Sequence, residues 1–158
     1  MTDPVTITRH FELDAGHRLA EHNFKCQNVH GHRYIYDIEV TGTPDPTLGY
    51  VIDFSNLKSP IMDAFDHNLL LNAADPLLDA GVIDAIEAEQ AKTVYQMECE
   101  PTVENIAHES VGLIWESMRP TERHNVTEIV IHVAETPNCT VTLTVESEPG
   151  SDTYHVSP

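Results

Sequence analysis

The stretch FKCQNVHGHRYIYDIEV, residues 24–40, carries both a clear strand signal and a dense group of reactive side chains. From Arg33 it alternates: Tyr34, Tyr36, Ile38 and Val40 fall on one face, Asp37 and Glu39 on the other, which predicts a half-buried strand over 33–41. Upstream, VTITRHFEL (5–13) places Val5, Ile7, Phe11 and Leu13 on alternate positions and predicts another strand. Between the two, Cys26 is followed by His30, Gly31 and His32. Side chains at i and i+2 of a strand project from one face, so the two imidazoles point the same way, and Gly31 leaves the backbone between them uncrowded. His17, in LDAGHRL, lies just beyond the first strand and meets the other two if the strands pair antiparallel.

Working outward, TGTPDPTLG (41–49) is dense in turn formers and reads as a loop. Leu57, Ile61, Met62 and Phe65 recur at helical spacing, which predicts a helix over 55–65 capped by Ser55. The Ala-rich, acidic segment 73–100 reads as a short helix near 83–91 with an irregular return. PTVENIAHESVGLIWESM (101–118) is the strongest helix pattern, with Val103, Ile106, Ala107, Leu113 and Ile114 in one stripe and Thr102 at the cap. Alternation over 126–134 and 139–146 predicts two closing strands, and 147–158 reads as a flexible polar tail. Strands on both sides of a helical middle indicate an α+β fold, an antiparallel sheet covered on one face, in a single domain over 1–146.

Composition narrows the function. The 158 residues carry 26 Asp+Glu against 8 Lys+Arg, a formal net charge of −18, with Lys25, Lys58 and Lys92 as the only lysines. Nucleic-acid binding through a basic face is not expected. So acidic a surface resembles that of proteins working in molar salt, where a Debye length of about 3 Å screens the self-repulsion. Neither a secretory signal nor an apolar run of membrane-spanning length is visible, so a soluble cytoplasmic protein without a membrane partner is expected. Cys26, Cys99 and Cys139 form no C-x-x-C pair, which argues against a disulfide framework and a thiolate zinc cluster.

Three neutral imidazoles can form an open zinc site with one position left for water or substrate. The chain has ten histidines, however, and an H-x-H pair by itself is a weak signal. Cys26 is either an inert small hydrophobe or a thiolate able to act as base or nucleophile, favoured by Lys25 and a nearby cation. Asp66-His67 is either a polar pair at a helix end or an oriented acid/base relay. Glu135 is either a solvated acid or an acceptor for a guanidine-like edge. Glu104, in the first turn of the 102–118 helix, can serve the helix dipole alone.

Taken in order, AGH (15–17), KCQNVHGH (25–32), VIDFSNLK (51–58), DHNLLLN (66–72), PTVEN (101–105) and AET (134–136) resemble the family of 6-pyruvoyl-tetrahydropterin and 6-carboxytetrahydropterin synthases, from about residue 6 to 146. The resemblance implies the tunnelling fold: a four-stranded antiparallel sheet with two helices on one face. It also implies assembly into a barrel-shaped homohexamer, a dimer of trimers, with sites between subunits. Carried over, it makes His17, His30 and His32 ligands of Zn2+, Cys26 the catalytic base, and Asp66 with His67 its partner pair. Glu135 becomes the anchor of the pterin ring, with Thr102 and Glu104 lining the same pocket. The implied substrate is 7,8-dihydroneopterin triphosphate. The family's activities share these motifs; the salt-adapted composition, together with Cys26, favours 6-carboxytetrahydropterin for a 7-deazaguanine tRNA base as the product, with the pyruvoyl enzyme and a non-catalytic zinc- or pterin-binding protein as alternatives. Against the family's pattern, segment 73–100 is long enough to count as an insertion.

Overall fold

The computed structural model describes residues 3–88 and 93–157. Its first two strands, β1 (Val5–His17) and β2 (His30–Gly42), form a long antiparallel hairpin in which Leu13 opposes Tyr34 and Phe11 opposes Tyr36. Both strands are longer than the alternation predicts, because β1 continues through AGH and β2 begins at the first imidazole of HGH. The Phe11 and Tyr36 rings stack with centroids 4.9 Å apart, so alternation, register and packing select the same face.

A helix α1 (Phe54–Phe65) follows, then β3 (Leu69–Asn72), the short helices α2 (Pro76–Asp79) and α3 (Val82–Glu87), and β4 (Val94–Met97). Next come α4 (Val103–Ser117), α5 (Pro120–Asn125), β5 (Val126–Thr136), β6 (Cys139–Glu146) and β7 (His155–Val156). The fold is α+β as expected, but the sheet has seven strands among the described residues, in the order β4-β3-β1-β2-β5-β6-β7. The expected four-stranded antiparallel sheet survives as its centre, β1-β2-β5-β6. The correction lies at the margins, where β3 runs parallel to β1 and β4 parallel to β3. Leu70 and Leu71 are both buried, so β3 is covered on both faces and shows no alternation to read.

The two long helices lie against the sheet, α1 with Leu57, Ile61 and Phe65 buried and α4 with Ile106, Val111 and Ile114 buried. Tyr36 and Ser110 meet in this core through their hydroxyls at 3.3 Å, and Ser110 Oγ also donates to the Ile106 carbonyl. Pro60 removes one helical donor from α1 and leaves the Asn56 carbonyl 3.3 Å from Ser117 Oγ of α4, whose hydroxyl donates mainly to the Ile114 carbonyl at 2.7 Å. Asp53, not Ser55, caps α1: its Oδ1 accepts from both the Ser55 N–H and the Ser55 hydroxyl. Thr102 caps α4 as expected, accepting from Asn105 N.

Segment 73–100 joins the sheet through β4, and Leu71, Ile83 and Val94 form a small core of their own. Residues 89–91 of the helix expected near 83–91 lie outside the described residues. The stretch read as a tail packs back: β7 pairs with β6, Tyr154 meets Trp115 edge-on, and Trp115 Nε1 donates to the Asp152 carbonyl. No helix among the described residues is long and apolar enough to cross a membrane.

Candidate functional site

The β1–β2 register puts His17 opposite His30 and Ala15 opposite His32, so the three imidazoles share one face at the end of the hairpin. Gly31 opposes Gly16, and a Cβ at position 31 would crowd the Ala15 carbonyl at 3.1 Å, which favours glycine between the two histidines. One ring nitrogen from each of His17, His30 and His32 lies within 4.8 Å of the others, close enough for small side-chain rotations to bring all three onto a single ion.

Hydrogen bonding settles which nitrogen faces inward. His17 Nδ1 lies 2.8 Å from the Pro101 carbonyl, and His30 Nδ1 lies 2.8 Å from the Asn28 carbonyl. A carbonyl only accepts, so both Nδ1 atoms carry the proton and both Nε2 atoms of the neutral rings keep lone pairs. Those two Nε2 atoms are 3.1 Å apart. Facing lone pairs at that range repel unless a cation or proton sits with them. In tetrahedral zinc coordination, nitrogens about 2.0–2.1 Å from the ion stand roughly 3.3 Å from each other. The residues present therefore fit a zinc ion.

His17 is 2% exposed. Burial pushes its pKa below the ordinary histidine value and the neighbouring His30 and His32 add to this; the Pro101 bond and Glu135 pull the other way without reversing it. The ring is thus neutral near pH 7, the state that binds metal. Glu135, near the end of β5, brings Oε1 to 3.5 Å from His17 Nε2 and 3.8 Å from His32 Nε2. Tyr34, one strand position beyond His32 on the same face, packs edge-on to both His17 and His32. Its buried hydroxyl has no hydrogen-bond partner among the described residues, and burial, then Glu135, drive its pKa far above the ordinary tyrosine value.

Cys26 is half-buried in a 3-10 turn (Lys25–Gln27) of the arch, residues 18–29, that joins His17 to His30. Asp66 and His67 follow α1. Asp66 Oδ2 lies 3.0 Å from His67 Nδ1, and Asp66 Oδ1 accepts from Asp14 N at 3.1 Å. His67 has φ of 60°, in the left-handed region, and is held there by its N–H donating to the Asp14 carbonyl at 2.7 Å. A cavity of about 700 Å³ is bordered by both His32 and His67, with Gly16, Gly31 and Arg33 between them. The hairpin thus places the expected ligands together, β5 beside β2 brings Glu135 to them, and His67 borders the same cavity as His32.

The remaining expected residues are less gathered. Thr102 follows Pro101, whose carbonyl holds His17, but its hydroxyl serves the helix cap. Glu104 is exposed in the first turn of α4 with no side-chain hydrogen bond among the described residues. Of the nearby cations, Arg18 pairs with buried Asp75 at 3.1 Å and Arg33 forks onto Asp14 at 3.0 and 3.1 Å. The Pro101 and Asn28 carbonyls that fix the ring tautomers escaped the sequence reading, because backbone acceptors carry no residue signature.

The same fold occurs in the 6-pyruvoyl tetrahydropterin synthase of Plasmodium vivax, with a TM-score of 0.68 at 18% identity over 92% of this chain and 99% of that one. The Caenorhabditis elegans enzyme of the same name superposes with a TM-score of 0.57 at 25% identity, over 93% of this chain and 98% of that one. Residues 6–146 match the 6-pyruvoyl tetrahydropterin synthase family, and the chain belongs to it. It is therefore an enzyme of the pterin-synthase type. Among its relatives is a 6-carboxy-5,6,7,8-tetrahydropterin synthase of Rickettsia conorii, 37% identical over 141 residues, 87% of this chain and 98% of the relative. A protein of Halobacterium salinarum described as a probable 6-carboxy-5,6,7,8-tetrahydropterin synthase is 34% identical over 133 residues, 84% of this chain and 81% of the relative.

Proposed function

We propose that this chain converts 7,8-dihydroneopterin triphosphate to 6-carboxy-5,6,7,8-tetrahydropterin, releasing triphosphate and acetaldehyde, as a zinc-dependent cytoplasmic enzyme in the synthesis of a 7-deazaguanine tRNA base. The observation that carries the reading is the convergence of three imidazole nitrogens, two with their far side tied to carbonyls, in a chain 37% identical to a relative named for that product.

His17, His30 and His32 hold the zinc, which supplies Lewis acidity toward the oxygens of the substrate side chain. The Cys26 thiolate removes a proton from the adjacent carbon. Asp66 bonds His67 Nδ1 and leaves Nε2 free to exchange a proton on the other side, with the exposed ring reaching the shared cavity. Glu135 accepts two N–H bonds from the ring's guanidine-like edge, and Thr102 and Glu104 line the same pocket. Lys25, exposed and without an ion pair among the described residues, is the cation best able to meet the triphosphate.

A homohexamer fits the sheet edges. β1 pairs with β3 only at Gly16 and His17, and β6 pairs with β7 only at Val145 and Glu146. The rest of each strand presents an edge that pairing between copies would cover. The net charge of −18 and the Halobacterium salinarum relative support work at high salt. A triphosphate approaching in dilute buffer meets strong repulsion, so activity should fall on desalting.

The test is incubation of the purified, zinc-loaded protein with 7,8-dihydroneopterin triphosphate in concentrated salt. The reading expects acetaldehyde together with a carboxylated tetrahydropterin. A pyruvoyl product without acetaldehyde selects the activity that gives the family its name, and absence of any tetrahydropterin product overturns the catalytic reading.

A further inference from the structure

The arch that holds Cys26 is poorly tied to the body of the protein. Inside it, Leu19 N donates to the Cys26 carbonyl at 2.9 Å, His22 N to the Leu19 carbonyl at 3.1 Å, and Gln27 Nε2 to the Ala20 carbonyl at 3.1 Å. Residues 21–25 are exposed, Phe24 at 79%. Among the described residues, one hydrogen bond joins residues 19–27 to an element outside the arch: Ala20 N donates to Glu100 Oε2 at 2.8 Å, while the Lys25 carbonyl accepts from Asn28 N within the arch and Arg18, at its base, pairs with Asp75 at 3.1 Å.

Glu100 is itself firmly held. Its Oε1 accepts from Asn72 Nδ2, at the end of β3, at 3.2 Å. Its carbonyl accepts from Thr102 N and from Asn105 Nδ2, both at 2.8 Å. The next residue, Pro101, supplies the carbonyl that orients His17. One short turn therefore grips both halves of the candidate site, the thiol arch through the Glu100 carboxylate and the buried histidine through the Pro101 carbonyl. Glu98, two residues earlier, shows the contrast: it is exposed and makes no side-chain hydrogen bond among the described residues.

We infer that Glu100 is the positioning residue that sets Cys26 against the histidine cluster for the family's reaction. The inference rests on the reading of Cys26 as base. A carboxylate accepting a backbone N–H makes a charge-assisted bond, stronger than a neutral one and directional enough to fix where the arch stands. Removing it frees the thiol to wander without touching a ligand of the metal or a group on the pterin.

The experiment uses the zinc-loaded enzyme as purified, with three variants compared in kcat, in KM for 7,8-dihydroneopterin triphosphate, and in iodoacetamide labelling of Cys26. Exposed Cys139 in the β5–β6 hairpin is the internal reference. Glu100→Ala should lower kcat by about 10- to 100-fold, the cost of a misplacement near 1 Å, with KM within about threefold of the parent. Its Cys26 labelling rate should change severalfold while that of Cys139 stays constant. Glu100→Gln keeps an acceptor for Ala20 N and should restore both readouts toward the parent. Gln27→Ala loosens the arch from within and should show the same split, which keeps the test decisive if Glu100→Ala folds poorly. Parental kcat and parental Cys26 labelling in Glu100→Ala, or in Gln27→Ala where that variant stands in for it, would overturn the inference. Full activity in a Cys26→Ala control would instead overturn the thiol as base, while the labelling ratio would still judge the anchor.

Discussion

Glu122 and His17 are both 2% exposed, and the difference between their surroundings separates structure from chemistry in this protein. Glu122, in α5, is fully paired. Its Oε1 accepts from Asp53 N and Arg119 Nη2, and its Oε2 from Arg119 N and Asn56 Nδ2. Those bonds tie the start of α5 to the start of α1 and leave no oxygen available to a ligand. His17 is paired on one side only: Nδ1 is spent on Pro101, while Nε2 points at another lone pair and at a carboxylate. A satisfied buried acid rigidifies, whereas an unsatisfied cluster of acceptors asks for a cation.

Substitutions can break that contrast from either side. The largest effect is expected at the proposed base: Cys26→Ala should lower kcat by about 10²- to 10⁴-fold, the range for loss of a general base, with the zinc content unchanged from the parent. Steady-state kinetics beside metal analysis checks both halves, and retained turnover would mean that the base lies elsewhere.

On the structural side, Glu122→Ala should destabilise by about 2–3 kcal/mol, since it strands several donors, while the zinc content stays the same. Denaturant unfolding at high salt measures it. Glu122 also carries a pH signature. Burial alone would raise its pKa, but the hydrogen bonds from the Arg119 side chain, Arg119 N and Asp53 N hold it below the ordinary glutamate value. The stability it contributes is therefore fully present above the unfolded-state pKa of about 4.3 and lost as pH falls through the lower folded value. Glu122→Gln should flatten that part of the acid limb and leave stability between pH 5 and 7 without added slope.

The smallest effect tests the junction of the two regimes. His67 holds a left-handed backbone that glycine adopts without cost. His67→Gly should gain about 1 kcal/mol in stability and, on the proposed relay role, lose activity, because the substitution that relieves strain also removes the imidazole. Unchanged turnover would reduce His67 to a helix terminator.

Much of this arrangement was legible from periodicity. Val5 to Leu13 and Tyr34 to Val40 announce a hairpin, and the stripe from Val103 to Ile114 announces α4, since each buries a single face. LLLN at 69–72 announces nothing, because a four-residue strand buried on both sides has no polar alternate. Asp53 and Ser55 are both good cap formers two residues apart, and only the hydrogen bonds choose between them. The histidine triplet was legible as a cluster on the condition that β1 and β2 pair antiparallel, and the register supplies that condition by setting His17 opposite His30. Most hidden was the turn at Glu100 and Pro101, whose grip works through a backbone carbonyl and a carboxylate distant in sequence from both partners.

The account stands on the three imidazoles holding one metal ion. Metal analysis of the purified chain, beside a variant with His30 and His32 both replaced by Ala, tests that most directly. The account predicts about one zinc per chain in the parent and none above background in the variant, which should remain folded because Glu122 and the core are untouched. Equal metal in the two proteins, or none in a parent supplied with zinc, would contradict it.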